Sequence, residues 1–340
     1  MANRTEDVIH YIMHEIRSGN CPAGSRISSQ MVLTRKLNCS RTTVERGIAR
    51  LISAGVLESR RGSGTFVCDQ PRTSTVAEVT VITGAVDHSL RTSFVDMFLN
   101  LDTGELPIRW ITEETALTNI SDFKRRRTAV ISYMPDPPQL MLLEELKSLN
   151  VPVLIINRTF EGFDYVATDT EASLREGISW LLGKAGGNAA MISYIPNQNR
   201  PYLAERIICI YELCMEFGIN LPPERIIKHN FAESAAASEA MIADLLFRNR
   251  KNPLAVILPN CELGKYCLNA AASCGKVCGR DFFLLSFDSV YADGAQPAGT
   301  GALHQNYAQF RPRIEEWIRQ ITTGISKPYQ ALVKARLRIR

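Results

Sequence analysis

The sequence predicts an α/β protein in two parts, a small helical head ending in a β-hairpin and a large body of parallel sheets divided into two lobes. Three observations carry this. Between Val8 and Ile52, apolar residues recur every three or four positions, the period of helices that bury one face. From Val76 onward, short apolar runs bounded by turn residues alternate with stretches of helical spacing, the texture of βαβ units. Between them, Asp69-Gln70-Pro71-Arg72-Thr73-Ser74-Thr75 is polar and aperiodic, so residues 69–75 read as a linker between a head at 1–68 and a body at 76–340. A body of that length exceeds one open sheet, which is why two lobes with a cleft are expected.

In the head, Val8, Ile12 and Ile16, with Ile9 and Met13 beside them, define a first helix stopped by Ser18-Gly19, and Pro22-Ala23-Gly24 forces a turn. Ser28-Ser29-Gln30 supplies the N-cap of a short second helix with Val32, Leu33 and Leu37 on its inner face. Ser40 caps a third helix that buries Val44, Ile48, Leu51 and Ile52, leaving Arg41, Thr42, Thr43 and Arg46 outside near its N-terminus. In a helix-turn-helix this end enters the major groove, where backbone N–H groups, hydroxyls and guanidinium groups reach phosphates and base edges. Strand signals at 56–60 and 65–67 flank Arg61-Gly62-Ser63-Gly64, a wing whose glycine tip can approach a groove closely. The candidate DNA-binding residues are therefore Ser29, Gln30, Ser40, Arg41, Thr42, Thr43, Arg46, Arg60, Arg61 and Gly62.

Charge points the same way. Residues 1–70 hold ten Lys/Arg against six Asp/Glu, a surplus that equals the whole net charge of +4 and leaves the body neutral. A basic head on a neutral body suggests that the head alone meets a polyanion.

The segments PAGSRISSQ, LNCSRTTVERGIARL and AGVLESRRGSGTFV, in this order and spacing, resemble the GntR-type winged helix-turn-helix over residues 5–68. The resemblance implies that Ser40, Arg41, Thr42 and Thr43 lie at the DNA, with Gly62 in the minor groove. The chain departs from the pattern at Met31, where an arginine is usual, and at Glu45, where an arginine often follows the TTV.

In the body, strands are expected at 77–85, 107–112, 128–134, 151–157, 165–169, 188–195, 225–229, 253–259 and 282–288, with helices at 137–150, 170–186 and 233–250. Ligands of such folds bind beyond the carboxyl ends of strands. Asn157 and Arg158, Asp169, Asn260 and Asp288 each stand at such an end, and Arg206 sits near the start of the helix after 188–195. Carboxylates, amides and guanidinium groups of this kind hydrogen-bond the hydroxyls of a sugar, and Phe94 and Tyr133 are candidates for stacking on its face. Each has a plainer alternative: Asp169 or Asp288 could cap a helix, and Arg158 could pair with a surface acid. Trp317 reads as core, Trp110 and Trp180 as either, and Arg125-Arg126-Arg127 as a solvated loop.

The run from Val151 to Ile195 resembles the central segment of LacI-type, periplasmic-binding-protein-like sensor domains, and Arg206, PLAVILPNCELG, GRDFFLLSFD and LHQN follow in the expected order, over residues 76–336. The resemblance implies ligand roles for Asn157, Asp169, Arg206, Asn260 and Asp288, with Gln305 near the return between lobes. It departs at Cys261, where an aspartate is usual, and at Cys209, where a glycine is. Chain order in that fold gives a first lobe of about 76–184 and 305–330 and a second of about 185–304 and 331–340, with Phe310, Ile314, Trp317, Ile318 and Ile321 as the buried stripe of a first-lobe helix.

Together these features imply a ligand-responsive regulator and, by default, a repressor, combined as in arabinose-responsive repressors. Its expected partners are double-stranded operator DNA, a small-molecule effector of the sugar class, and a second copy of the chain, because two heads on a two-fold site multiply affinity. No cofactor or metal site is expected, since the nine cysteines show no CxxC pair and the five histidines no ligand spacing. The absence of a GxSxG elbow, a P-loop or a Rossmann glycine cluster argues against an enzyme. The N-terminal sequence lacks the apolar region of an export signal, which favours a cytoplasmic location over a transport-type binding protein.

Overall fold

The computed structural model describes residues 4–53, 56–60, 62–68, 76–83, 97–98, 100–197, 200–249, 253–289, 297–323 and 328–340. In the head, α1 (Arg4–Arg17), α2 (Gln30–Lys36) and α3 (Arg41–Ser53) close around one core that buries Val8, Ile12, Leu33, Val44, Ile48 and Leu51. Val32 and Ile52, expected inside, are 46% and 36% exposed. Each lies one residue round the helix from a fully buried leucine, and a step of 3.6 residues per turn carries it off the inner face. The wing strands β1 (Leu57–Arg60) and β2 (Gly64–Val67) pair antiparallel, with Leu57 opposite Val67 and Arg60 opposite Gly64. The segment after α1 adds a second pairing, in which Ile27 N–H donates to the Thr65 carbonyl at 3.0 Å and Val67 N–H to the Ser25 carbonyl at 2.8 Å. The wing is thereby tied to the turn that precedes α2.

The first lobe is a sheet of β3 (Glu78–Thr83), β4 (Ile108–Thr112), β5 (Thr128–Tyr133), β6 (Val153–Ile156) and β7 (Asp164–Asp169), ordered β4-β3-β5-β6-β7 and parallel throughout. On one face, Ala116 from α4 (Glu113–Thr118), Phe123 from α5 (Ile120–Arg126) and Leu142, Leu143 and Leu146 from α6 (Leu140–Ser148) form a core with Val130, Val153 and Ile155. The second lobe is built on β8 (Ala189–Tyr194), β9 (Ile226–His229), β10 (Leu254–Leu258), β11 (Phe282–Phe287) and β12 (Thr300–His304), ordered β9-β8-β10-β11-β12. Strands covered on both faces need unbroken apolar runs, and β5, β6 and β10 are buried from end to end.

Helix α7 (Thr170–Ala185) packs with α8 (Pro201–Glu216) on one face of the second sheet, through Leu174, Ile178, Leu181, Ile210 and Leu213. The other face is covered by α9 (Ala235–Arg248) and α10 (Glu262–Ser273). Helix α11 (Tyr307–Thr322) returns to the first lobe and buries Phe310, Ile314, Trp317 and Ile318 on its open face, with Ile321 half-buried. The Trp317 indole N–H donates to Asp164 Oδ2 at 2.8 Å, so this tryptophan is core with its polar edge satisfied. Finally β13 (Gln330–Lys334) adds in parallel to β7, and β14 (Arg336–Ile339) adds antiparallel to β12.

Sheet membership moves the expected lobe boundaries. Residues 170–184 belong with the second lobe, because the apolar stripe of α7 faces β10, β11 and β12. The last crossing falls at Ala335 rather than after residue 330, since β13 completes the first sheet up to Lys334. Arg125 and Arg126 lie in the last turn of α5 rather than in a loop, paired with Asp122 at 2.9 Å and Glu78 at 3.7 Å, where the helix dipole favours cations. Among the described residues no helix is long and apolar enough to cross a membrane.

Candidate functional site

On the head, local capping shapes the surface. Ser40 Oγ accepts the Thr43 backbone N–H at 3.1 Å and lies 2.8 Å from the Thr43 hydroxyl, and Ser29 Oγ accepts the Val32 N–H at 3.4 Å. The first turn of α3 carries no acid, so the positive end of its dipole is left for an outside anion. Arg41, Thr42 and Arg46 are exposed there, and Arg41 Nε donates to Glu45 Oε1 at 3.0 Å one turn on. On the wing, Arg60 pairs with Glu58 at 2.5 Å and lies 4.5 Å over the Phe66 ring. Gly62 has φ +74° with open space around it. Arg61 lies outside the described residues.

A groove of ≈ 580 Å³ brings the expected residues Ser29, Gln30 and Arg41 to one surface, bordered by Met31, Gly64 and Arg26. A Cβ on Gly64 would stand 2.5 Å from Arg26 Nε, and its φ of +113° also excludes most side chains. The glycine lets the Arg26 guanidinium lie against the turn end of the wing. Sequence reasoning passes over Arg26, because the need for glycine at 64 is visible only once the two segments are paired.

In the body, both sheets reverse winding direction beside their first strand, between β3 and β5 and between β8 and β10. Such switch points open a crevice at the carboxyl ends of the strands. In the first lobe, Asn157 follows β6 at φ +60°, its Nδ2 3.5 Å from the Tyr307 hydroxyl. The Thr168 hydroxyl reaches both Asn157 Oδ1 at 3.1 Å and Gln305 Oε1 at 3.2 Å. The Gln305 amide in turn donates to both Asp288 oxygens, at 3.0 and 3.2 Å. One side chain at the return between lobes thus joins β7 of the first to the end of β11 in the second.

Arg158 and Arg206 converge on Tyr202 from the two lobes, at 4.7 and 4.9 Å from its ring. Arg206 is buried, lies 3.6 Å over Phe287, donates to the Pro259 carbonyl at 2.9 Å and has the Asp288 carboxylate at 3.9 Å. Arg158 Nη1 donates to the Asn157 carbonyl at 2.8 Å, while its Nε has no partner among the described residues. Burial first, and then the charge of Arg206, hold the Arg158 pKa below the usual arginine value. Asn260 is 5% exposed, and neither its Oδ1 nor its Nδ2 has a partner among the described residues. Next to it, burial first of all pushes the Cys261 thiol up to about 12, so it stays neutral.

Two expected ligand residues are engaged elsewhere, and one lies outside the described set. Asp169 caps α7, accepting the Ala172 N–H at 2.9 Å. Tyr133 cannot offer its ring for stacking: it is 2% exposed within the first-lobe core, because its alternation in β5 turns it inward, and its hydroxyl donates to that of Tyr307 at 3.3 Å. Phe94 lies outside the described residues. Tyr202, which sequence reasoning misses, looks like an ordinary helix-start aromatic until Arg206 is seen one turn later on α8.

Comparison with known proteins follows the same division. The family described as "Bacterial regulatory proteins, gntR family" matches residues 4–67. An HTH-type transcriptional repressor of Salmonella typhimurium is 38% identical over 60 residues, 18% of this chain and 25% of its own length. The histidine utilization repressor of Pseudomonas aeruginosa is 37% identical over 68 residues, 20% of this chain and 27% of its own. The chain thus spans about a quarter of the length of these curated relatives, all of it in the head. Among solved structures, a LacI-family regulatory protein from Chloroflexus aggregans superposes with TM-score 0.63 at 16% identity, covering 77% of this chain and 97% of that one. The lac repressor dimer bound to operator and an anti-inducer gives TM-score 0.61 at 14% identity, covering 77% and 92%. The head is a GntR-type winged helix-turn-helix, and the body has the LacI-type, periplasmic-binding-protein-like fold.

Proposed function

We propose that this chain is a transcriptional regulator, not an enzyme, that binds operator DNA as a homodimer and reports on a small hydroxylated effector of the sugar class held between its lobes. The observation that carries this reading is the Thr168–Gln305–Asp288 chain of hydrogen bonds, one amide contacting both lobes beside Arg206 and Asn260. An effector that engages Asp288 and Arg206 competes for the same groups, so its affinity differs between open and closed lobes. Only such differential affinity shifts a conformational equilibrium. In a dimer, a change in lobe closure alters how the two heads are held, and with it their fit to a two-fold site.

DNA is read by the exposed start of α3, with Arg41, Thr42, Thr43 and Arg46, and by the wing with Arg60, Arg61 and Gly62; Ser29, Gln30 and Ser40 border the contact. In the cleft, Asn157, Arg158, Arg206, Asn260 and Asp288 meet the effector and Gln305 relays it. Tyr133 and Asp169 support the site from behind, as core and as helix cap. Repression relieved by effector is the default outcome, and a cytoplasmic location follows from it.

The test is selection of duplexes from a random-sequence pool by the full chain, followed by titration at two salt concentrations. A regulator enriches a two-fold symmetric motif and loses affinity steeply with salt as counterions are released. Failure to enrich any motif would overturn the reading.

A further inference from the structure

Arg158 has an unusual position. The residue is half-buried and its Nε fully so, yet among the described residues its polar contacts amount to one backbone carbonyl, with Nε unpartnered. Asp136 attracts it only from beyond ion-pair range. A second guanidinium, Arg206, shares the same Tyr202 ring, and the carboxylate paired with Arg206 among the described residues, that of Asp288, is already held by Gln305. After Asn260, where a carboxylate could have balanced the site, stands the neutral thiol of Cys261. A cation partly withdrawn from water, with no carboxylate in ion-pair range among the described residues, is satisfied in a cleft when its counter-ion arrives with the ligand. The planar fork of arginine also matches a carboxylate or phosphate through two parallel N–H donors.

We infer that the effector is an anion, a hydroxylated compound whose carboxylate or phosphate group docks on the unpaired edge of Arg158 while its hydroxyls meet Arg206, Asn260 and Asp288. The inference rests on the cleft being the effector site. Asn260 supports it independently, since both of its amide atoms are buried without partners among the described residues and can serve the hydroxyl-bearing part of the same molecule.

The experiment is calorimetric and thermal-shift titration of the full chain, at matched ionic strength, with three related probes: a neutral aldose, its aldonate and its phosphate ester. Inorganic phosphate serves as a fourth. At least one anionic sugar derivative binds ten times or more tightly than the neutral parent, and whether it is the aldonate or the ester identifies the anionic group. Arg158→Gln lowers that affinity at least tenfold, and Arg158→Lys recovers part of it. Equal binding of the neutral aldose, unaffected by Arg158→Gln, overturns the anion assignment while the effector reading stands. Inorganic phosphate binding as tightly as the best derivative overturns the role of the hydroxyl contacts. Binding of none of the probes overturns both the inference and the sugar-class reading it rests on.

Discussion

The head and the cleft both rely on arginine, and they hold it in opposite ways. On the head, Arg41 and Arg60 are exposed and each is already neutralised by a nearby acid, Glu45 at 3.0 Å and Glu58 at 2.5 Å. Exposed pairs of this kind contribute about 0–1 kcal/mol, so phosphates displace the acids at little cost and salt tunes the exchange. In the cleft, Arg206 is buried and Arg158 half-buried, and holding charge there without a full set of partners carries a desolvation cost that the exposed pairs of the head do not. The difference separates two kinds of recognition. Many weak, exchangeable contacts suit a polyanion of any length, whereas a few under-satisfied buried groups suit one small ligand that supplies what is missing.

Four substitutions test that contrast, and the largest effect is expected in the cleft. Asp288→Ala removes the acceptor of Gln305 and the neighbour of Arg206, and effector affinity should fall by roughly 1.5–3 kcal/mol, with DNA affinity unchanged. Isothermal titration for the one and fluorescence anisotropy for the other measure this; a full effector response by the variant would break the cleft half of the contrast. Asn260→Leu should separate binding from stability. The ligand-free protein melts at the same temperature or higher, because an unpartnered buried amide is replaced by hydrocarbon of similar shape, while effector affinity drops by about 1 kcal/mol or more. A large fall in melting temperature would mean that Asn260 is satisfied in the free protein.

On the head the effects should be of both signs. Arg41→Ala weakens binding to the selected duplex by about 1–3 kcal/mol while leaving effector binding intact. Unaltered DNA affinity would remove Arg41 from the contact set. Glu45→Ala should do the reverse and tighten DNA binding by roughly 0.3–0.5 kcal/mol, the usual worth of an intrahelical pair. If Arg41 then reaches a phosphate, the plot of log affinity against log salt steepens by about one counterion per head. Weaker binding by the Glu45 variant would show that the pair positions Arg41 for DNA instead of competing with it.

The two regions also differ in how much of them the sequence displays. The head is legible almost residue by residue, since caps such as Ser29 and Ser40 and the wing glycines act within a few residues of their own position. What escaped was Arg26, whose meaning depends on a ladder formed with Gly64. In the body, strand and helix alternation is equally plain, but periodicity does not say which sheet an apolar stripe faces, so α7 reads as a first-lobe helix while it packs on the second. For the same reason Tyr133 at the end of β5 looks available for stacking until the sheet turns its ring inward. Of the residues named at strand ends, Asn157 and Asp288 are joined through Thr168 and Gln305, with Arg206 beside Asp288. Tyr202, which draws two arginines together across the lobes, has no mark in the sequence beyond its spacing from Arg206.

The placement of α11, β13 and β14 has a consequence for the order of events on the ribosome. The five strands from β3 to β7 emerge early, yet the apolar face that Phe310, Ile314 and Trp317 cover waits until the second lobe has been synthesised. Both sheets then receive their final strand from one short stretch, residues 330–339. Until then the first sheet lacks both its last strand and the helix that covers one of its apolar faces. Neither sheet has its full set of strands until that stretch is in place.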